Sequence, residues 1–108
     1  MSIDLAYKLF LDGILFIDAR DTDDFYNERI LNSINIPYEV MNEYEDSILD
    51  LDPIQPVVIY CSGGECDLSL ELARVLMGED WAFSKVFVYD GGISEWKNAG
   101  YPISKSNE

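Results

Sequence analysis

Residues 57–76, VVIYCSGGECDLSLELARVL, combine a short apolar run, a turn with two glycines and an amphipathic stretch. The run from 56 to 61 lacks the alternation of polar and apolar residues expected when one face of a strand is exposed, so we predict a strand buried on both faces. Residues 64–78 predict a helix that ends at Gly78. Its predicted inward face is Leu68, Leu72, Val75 and Leu76.

The rest of the chain alternates in the same way between apolar runs and helical patterns. We predict helices over 3–11, with Ser2 as N-cap and Gly13 as stop, over 21–29, over part of 38–51 with Val40, Tyr44 and Ile48 on one side, and after a turn within 91–100. Strands are predicted over 14–18, 33–37 and 85–90, the last also buried. Buried strands separated by helices predict an α/β fold, a small three-layer domain with a mostly parallel central sheet flanked by helices. At 108 residues the chain is expected to form a single domain, 1–108.

Composition excludes several classes of function. Seven basic and 21 acidic residues give a net charge of -14, which makes nucleic acid and anionic membranes poor partners. The absence of histidine excludes Cys–His dyads, Ser–His–Asp triads and His-containing zinc sites, and two cysteines alone cannot close a tetrahedral metal site. The chain has no apolar run of about 20 residues and no basic signal-peptide start, so a cytoplasmic location is expected by default.

Cys61 stands where functional sites are expected in a parallel sheet. Ligand sites of such sheets lie at the carboxyl ends of strands, and Cys61 ends one strand just before a helix. Gly63 and Gly64 permit positive φ, and successive amides at a helix N-terminus can hold an anion such as a thiolate, a persulfide or an oxyanion. Such surroundings lower a cysteine pKa. The alternative is that Cys61 is a small buried hydrophobic residue.

Two further segments carry a family resemblance. Residues 16–37, FIDARDTDDFYNERILNSINIP, contain an Asp-x-Arg step, an acidic–aromatic helix and Asn-Ile-Pro, and residues 86–103, VFVYDGGISEWKNAGYPI, contain Gly-Gly-x-x-x-Trp-x-x-x-Gly-Tyr-Pro. Together with the cysteine loop, these segments resemble the rhodanese homology domain over nearly the whole chain. The matching residues are Asp18, Arg20, Phe25, Ile30, Asn35, Ile36, Pro37, Gly91, Gly92, Trp96, Gly100, Tyr101 and Pro102.

The resemblance implies sulfurtransferase chemistry without a metal or organic cofactor. Cys61 matches the nucleophile, which takes up the outer sulfur of a small donor such as thiosulfate as a persulfide and passes it to a thiol acceptor. The loop expected to hold the persulfide comprises Ser62, Gly63, Gly64, Glu65, Cys66 and Asp67. Asp18 and Arg20 are expected to support the site, as an ion pair or by bonding loop backbone.

The loop departs from the family pattern in its charge. Cys66 and Asp67 occupy the positions where the family usually has Arg and then Ser or Thr, so a donor-binding cation is missing, and Arg29 is a candidate substitute. A carboxylate about 6 Å from a thiolate costs roughly 0.7 kcal/mol at a dielectric constant of about 80 and roughly 2.8 at about 20. A helix N-terminus contributes about 0.3–1 kcal/mol. Because Glu65 and Asp67 can cancel that contribution, we do not assume a strongly acidic Cys61, and we expect dianionic thiosulfate to be a poor donor.

Cys66 is a candidate resolving thiol. A disulfide requires Cα atoms within about 7 Å, which a tight five-residue step permits. Cys66 could then attack a persulfide or sulfenic acid on Cys61 and leave a disulfide, which cytosol would keep transient; otherwise it is a small loop filler. Three hypotheses follow: a sulfurtransferase or sulfur carrier, which we favour, a thiol–disulfide redox protein, and a non-catalytic interaction module. Fold alone does not choose between them.

Overall fold

The computed structural model describes residues 1–105, and its helices and strands alternate along the chain. The helices are α1 (Ile3–Leu11), α2 (Thr22–Asn27), α3 (Glu45–Leu49), α4 (Leu68–Met77) and α5 (Gly92–Asn98), with a 3₁₀-helical segment at Tyr38–Tyr44. The strands are β1 (Leu15–Asp18), β2 (Arg29–Ile30), β3 (Ile34–Asn35), β4 (Val57–Tyr60), β5 (Val86–Tyr89) and β6 (Ile103–Ser104).

The central sheet is parallel and has the strand order β3-β1-β4-β5. Alternate residues of β1 and β4 point to opposite faces, so Ile17 and Ile59 join a core cluster with α3 and α4. Phe16 and Val58 join a second cluster with α1 and α5. The predicted three-layer α/β fold with a mostly parallel central sheet flanked by helices is therefore confirmed.

Helix α4 begins four residues later than the sequence pattern predicted. Gly63 and Gly64 have φ of 106° and 59°, in the left-handed region that a right-handed helix cannot use, so the chain turns through them before α4 starts at Leu68. The buried face of α4 is Ser69, Leu72, Ala73 and Leu76, which repeats at i, i+3, i+4 and i+7. The prediction that Val75 faces inward was wrong, since it is 36% exposed.

Other differences from the prediction arise at strand edges and kinks. The helix predicted over 21–29 ends at Asn27, because Arg29–Ile30 pairs in antiparallel fashion with Ile103–Ser104. Strand β5 is not fully buried but lies at the edge of the sheet, where Phe87 is 38% exposed. Val40 is also exposed, at a kink in the 3₁₀-helical segment. By contrast, α1 has its predicted bounds, and the Ser2 hydroxyl caps it by accepting from the Leu5 N–H at 3.2 Å.

A buried ion pair fixes the carboxyl end of β1. The Arg20 guanidinium donates to the Asp18 carboxylate at 2.7 and 3.0 Å and to the Glu28 carbonyl at 2.6 Å. The Asn35 side-chain amide donates to the carbonyls of Asp18 and Arg20, which ties the same turn to β3. These contacts favour the expectation that Asp18 and Arg20 form a structural ion pair.

Replacing Arg20 is expected to destabilise the fold strongly. The change Arg20→Met leaves a buried carboxylate on Asp18 without a counter-charge, so we expect the free energy of unfolding to fall by about 3–5 kcal/mol in urea denaturation. The control Arg74→Met removes an exposed guanidinium that pairs with Glu71 at the surface, and it should cost less than about 1 kcal/mol. Equal effects of the two substitutions would contradict the structural role.

Candidate active site at the carboxyl end of the sheet

The loop 61–67 leaves the sheet at the carboxyl end of β4, and the last residue of that strand is held rigidly. The buried Tyr60 hydroxyl accepts from the Ile30 N–H at 3.1 Å and shares a hydrogen bond with the Ser33 hydroxyl at 2.9 Å. Burial raises the pKa of Tyr60 well above its usual range, so the phenol stays neutral at physiological pH. Cys61 therefore follows a strand end that these hydrogen bonds hold, at the carboxyl edge of the sheet.

Cys61 and Cys66 are joined by a disulfide. Their Cα atoms are 6.5 Å apart, within the separation that a disulfide can span. Cys61 is only 2% exposed, whereas Cys66 is half-buried. The loop thus brings the two predicted sulfur residues together and presents them unequally to solvent.

The start of helix α5 holds the first residues of the loop through main-chain hydrogen bonds. The Ile93 N–H donates to the Cys61 carbonyl at 3.0 Å, and the Ser94 N–H donates to the Ser62 carbonyl at 3.1 Å. These are N–H groups of a first helical turn, which lack partners inside their own helix. We call this pair of bonds the α5 clamp.

Two glycines allow the α5 clamp to form. Gly92 has a φ of 63°, and a Cβ added there would overlap the Gly63 nitrogen and lie 2.5 Å from the Cys61 carbonyl oxygen. A Cβ added at Gly63 would overlap the Gly91 carbonyl oxygen. The two backbones approach so closely that a side chain on either surface would separate them.

The middle of the loop closes on itself. The Cys66 N–H donates to the Gly63 carbonyl at 3.1 Å, so in this disulfide-linked form it is engaged within the turn. The side chains of Ser62, Glu65 and Asp67 are exposed, and Gly64 is exposed as well. The loop carboxylates therefore project towards water, where their effect on the sulfur is screened.

Arg29, the candidate substitute for the loop arginine, and Arg74 of helix α4 both make contacts in their own segments. The Arg29 guanidinium lies 5.0 Å from the centre of the Phe25 ring and donates to the Phe25 carbonyl at 3.4 Å. Arg74 is exposed and pairs with Glu71 within α4. These contacts do not support Arg29 as a substitute for the loop arginine of the family.

A cleft of about 340 Å³ reaches the disulfide from the side of β5. It is lined by Met1, Cys66, Asp67, Ser69, Leu70, Val88 and Asp90. The Met1 amino group donates to the Asp90 carboxylate at 3.1 Å, and this bond lowers the pKa of Asp90. A second cavity, of about 450 Å³, is lined by Ala19, Asp21, Thr22, Asp23, Pro37, Glu39 and Val40 and does not include either cysteine.

Ser69 is a candidate site residue that the sequence analysis missed. Its buried hydroxyl oxygen lies 3.4 Å from Cys61 Sγ, and because a disulfide sulfur carries no proton, the hydroxyl is the donor in this contact. A serine on the apolar face of α4, three residues before Leu72, was the available signal. A buried polar residue on such a face needs a partner, and here that partner is the sulfur.

Among the described residues, 1–105, no helix is long and apolar enough to cross a membrane.

Sequence comparison finds that a family model described as Rhodanese-like domain matches residues 2–99. The thiosulfate sulfurtransferase GlpE of Coxiella burnetii is 30% identical over 95 residues, which cover 88% of this chain and 81% of that protein. The HTH-type transcriptional regulator Rv0324 of Mycobacterium tuberculosis is 27% identical over 92 residues, which cover 85% of this chain and 38% of the regulator.

Solved structures share the fold at lower sequence identity. The BH2092 protein from Bacillus halodurans has a TM-score of 0.79 and 24% identity, covering 96% of this chain and 72% of that one. A thiosulfate sulfurtransferase from Pseudomonas aeruginosa has a TM-score of 0.74 and 19% identity, covering 98% of this chain and 20% of that one. These likenesses establish the fold independently of the sequence matches.

The α5 clamp can be tested by comparing two glycine substitutions. Gly92→Ala and Gly13→Ala both place a side chain at positive φ, which costs about 1–2 kcal/mol in each case. A Cβ at Gly13 would meet open space within the described residues, whereas a Cβ at Gly92 would push the loop away from α5. We therefore expect Gly92→Ala to cost about 1–3 kcal/mol more in urea denaturation. We also expect it to slow formation of the Cys61–Cys66 disulfide, measured by mass spectrometry. Equal disulfide rates in the two variants would contradict the clamp.

Proposed function

Because the chain belongs to the rhodanese-like domain family, we propose that it is a sulfurtransferase or sulfur carrier that forms a persulfide on Cys61 and passes the sulfane sulfur to a thiol acceptor. We further propose that it acts as one domain over residues 1–108, in the cytoplasm, without metal or organic cofactor. The position of Cys61 carries the proposal, since it directly follows β4 at the carboxyl end of the sheet and is bonded to Cys66, which lines an open cleft.

Ser69 supports a nucleophilic Cys61. Once the disulfide is reduced, a hydroxyl at 3.4 Å can donate to the thiolate, and a hydrogen bond to the charged form favours that form. The first turn of α4, to which Ser69 belongs, also places the positive end of a helix dipole near the sulfur. Both contacts are of the kind that stabilises a thiolate, the form of cysteine that attacks a sulfur donor.

The proposed persulfide-binding loop is Ser62–Asp67, and its backbone supplies the binding groups. Left-handed φ values at Gly63 and Gly64 turn successive amides, an arrangement typical of anion-binding loops. The Cys66 amide belongs to this set only if its bond to the Gly63 carbonyl opens when the disulfide is reduced. Asp18 and Arg20 contribute indirectly, by fixing the end of the neighbouring strand β1.

The charge of the chain limits which donor it uses well. The GlpE relative is named a thiosulfate sulfurtransferase, but here the net charge is -14 and the loop carries Glu65 and Asp67. Repulsion of a dianion slows association, and salt weakens that effect. We propose that singly charged or neutral sulfane donors react faster than thiosulfate.

Sulfur loading of the reduced protein tests the proposal. Benzenethiosulfonate should transfer its outer sulfur to the Cys61 thiolate, with benzenesulfinate as the leaving group, and mass spectrometry of Cys66→Ser should find one added sulfur on Cys61. Replacing Ser69 by Ala should slow loading about 3–10-fold and raise the pH at which Cys61 is alkylated, because a hydrogen bond to the thiolate is lost. Ser84→Ala, which alters an exposed serine before β5, is the matched control and should leave both unchanged.

Cys61→Ser must abolish loading if Cys61 is the acceptor of sulfur. Thiosulfate should load sulfur onto the protein more slowly than benzenethiosulfonate. Added salt should reduce the difference between the two loading rates, because it screens the repulsion of the dianion. Failure of Cys66→Ser to gain sulfur from either donor would refute the sulfurtransferase proposal.

The disulfide favours a second candidate function, a thiol–disulfide or peroxide-responsive protein. Peroxide would oxidise the Cys61 thiolate to a sulfenic acid with loss of water, and Cys66 would attack it with loss of a second water to give the disulfide. This function predicts rapid, reversible loss of two hydrogens under mild peroxide, measured by mass spectrometry. This function would be contradicted if Cys61 reacted with peroxide equally fast in Cys66→Ser and in wild type while the wild-type disulfide closed slowly.

A further inference from the structure

Resting on the function proposed above, we propose that Cys66 resolves the Cys61 persulfide inside the loop and releases hydrosulfide. An external dithiol then reopens the resulting disulfide by attacking Cys66 from the cleft. The chain would thereby act as a sulfane-sulfur reductase, with a dithiol reductant as its partner. Two observations carry this step: the contact between the sulfurs and their unequal exposure.

The loop already holds the two sulfur atoms in bonding contact. The Cα atoms of Cys61 and Cys66 are 6.5 Å apart, while the α5 clamp holds the Cys61 end of the loop and the bond from the Cys66 N–H to the Gly63 carbonyl closes its other end. A thiolate kept beside its target reacts as though at very high concentration. An external thiol acceptor must compete with this internal nucleophile.

The same turn engages a backbone N–H group that would otherwise be available to stabilise a persulfide by a hydrogen bond. In the disulfide-linked form the Cys66 N–H is bonded to the Gly63 carbonyl, so the turn that forms when Cys66 bonds to Cys61 occupies this amide internally. The family arginine that would contact a bound anion is replaced by this same cysteine. The loop is therefore built to consume a persulfide more than to store one.

Release of hydrosulfide from the persulfide needs only the two cysteines of the protein. The Cys66 thiolate attacks Sγ of Cys61, a bond between the two Sγ atoms forms, and the bond from Cys61 Sγ to the outer sulfur breaks. The outer sulfur leaves with the electron pair as hydrosulfide, and the proton lost by the Cys66 thiol passes to water. The sulfane sulfur is reduced and the two cysteines are oxidised, so an external reductant must close the cycle.

Unequal exposure determines which sulfur the reductant meets. Cys61 is 2% exposed and lies against Ser69, whereas Cys66 is half-buried and lines the cleft of about 340 Å³. A thiolate entering the cleft attacks Cys66, and Cys61 leaves as a thiolate to which the Ser69 hydroxyl donates. The second thiol of the dithiol then attacks the mixed disulfide and frees Cys66.

A single-turnover experiment tests the internal step. Reduced wild-type protein receives one equivalent of benzenethiosulfonate without reductant, and free sulfide and intact mass are followed. We expect release of about one sulfide per protein and loss of two hydrogens from wild type. Cys66→Ser and Cys66→Ala should retain the added sulfur on Cys61 and release sulfide about tenfold more slowly.

The outcomes separate this inference from the function on which it rests. If Cys66→Ser gains sulfur but wild type retains the persulfide and releases no more sulfide than the variant, internal resolution is refuted and the sulfurtransferase stands. If Cys66→Ser and Cys66→Ala gain no sulfur, both are refuted. Circular dichroism on each variant confirms that the loss is not due to unfolding.

The site of reduction is tested separately by trapping. Oxidised protein is mixed with cysteamine, quenched in acid and alkylated, and a glutamate-specific protease is used to cleave after Glu65, which separates the two cysteines. We expect early mixed disulfide on Cys66 to exceed that on Cys61 by about tenfold, because access selects the attacked sulfur. Equal labelling, or an excess on Cys61, would overturn attack from the cleft.

Discussion

The site depends on two main-chain hydrogen bonds from the first turn of α5 to the residues that follow β4. They satisfy the Ile93 and Ser94 amides and the Cys61 and Ser62 carbonyls together, so a helix start and a strand end serve as each other's caps. The contact is possible because Gly63 and Gly92 lack side chains where the two backbones meet. This junction sets the path of the loop that carries both sulfur atoms.

Behind the junction, the buried polar side chains at the ends of β4 and β1 have hydrogen-bond or ion-pair partners. Tyr60 fixes the last residue of β4 through Ile30 and Ser33, and the Asp18–Arg20 pair fixes the end of β1 beside it. Buried groups of this kind are costly unless satisfied, and once satisfied they favour one arrangement of the chain. The rigid strand ends explain how a short loop rich in glycine can hold two cysteines in a defined relation.

The sequence predicted the layers and the position of Cys61 at a strand end because those depend on local patterns. Apolar runs at β1 and β4, the Ser2 cap and the cysteine at a strand end are all visible within a few residues. The pairing of Arg29–Ile30 with Ile103–Ser104 was missed because its two halves are more than 70 residues apart and each is too short to show a period. The start of α4 was misplaced because helical spacing was extended back to Gly64, whose left-handed φ belongs to the turn before the helix.

Ser69 and the exposed Val75 show that hydrophobic spacing alone did not predict which residues of α4 are buried. Hydrophobic spacing predicted Val75 on the inward face of α4, but the structure buries Ser69 and Ala73 beside Leu72 and Leu76, and the Ser69 hydroxyl lies against Cys61 Sγ. The hydroxyl was visible in the sequence, but its partner was known only once the loop folded back. The disulfide is an intermediate case, since the spacing made it possible but only the clamped turn places both cysteines within reach.

The position of α5 along the chain has a consequence for synthesis on the ribosome. Cys61 emerges about 30 residues before the helix that positions it, and that helix is in turn anchored by the bond from the Trp96 indole N–H to the Pro102 carbonyl. Because chains are made from the amino end, the cysteine pair is translated before the residues that set its geometry. The nascent chain therefore carries both thiols before α5 exists to hold their loop, and the clamped geometry cannot form until residues 92–94 have been made.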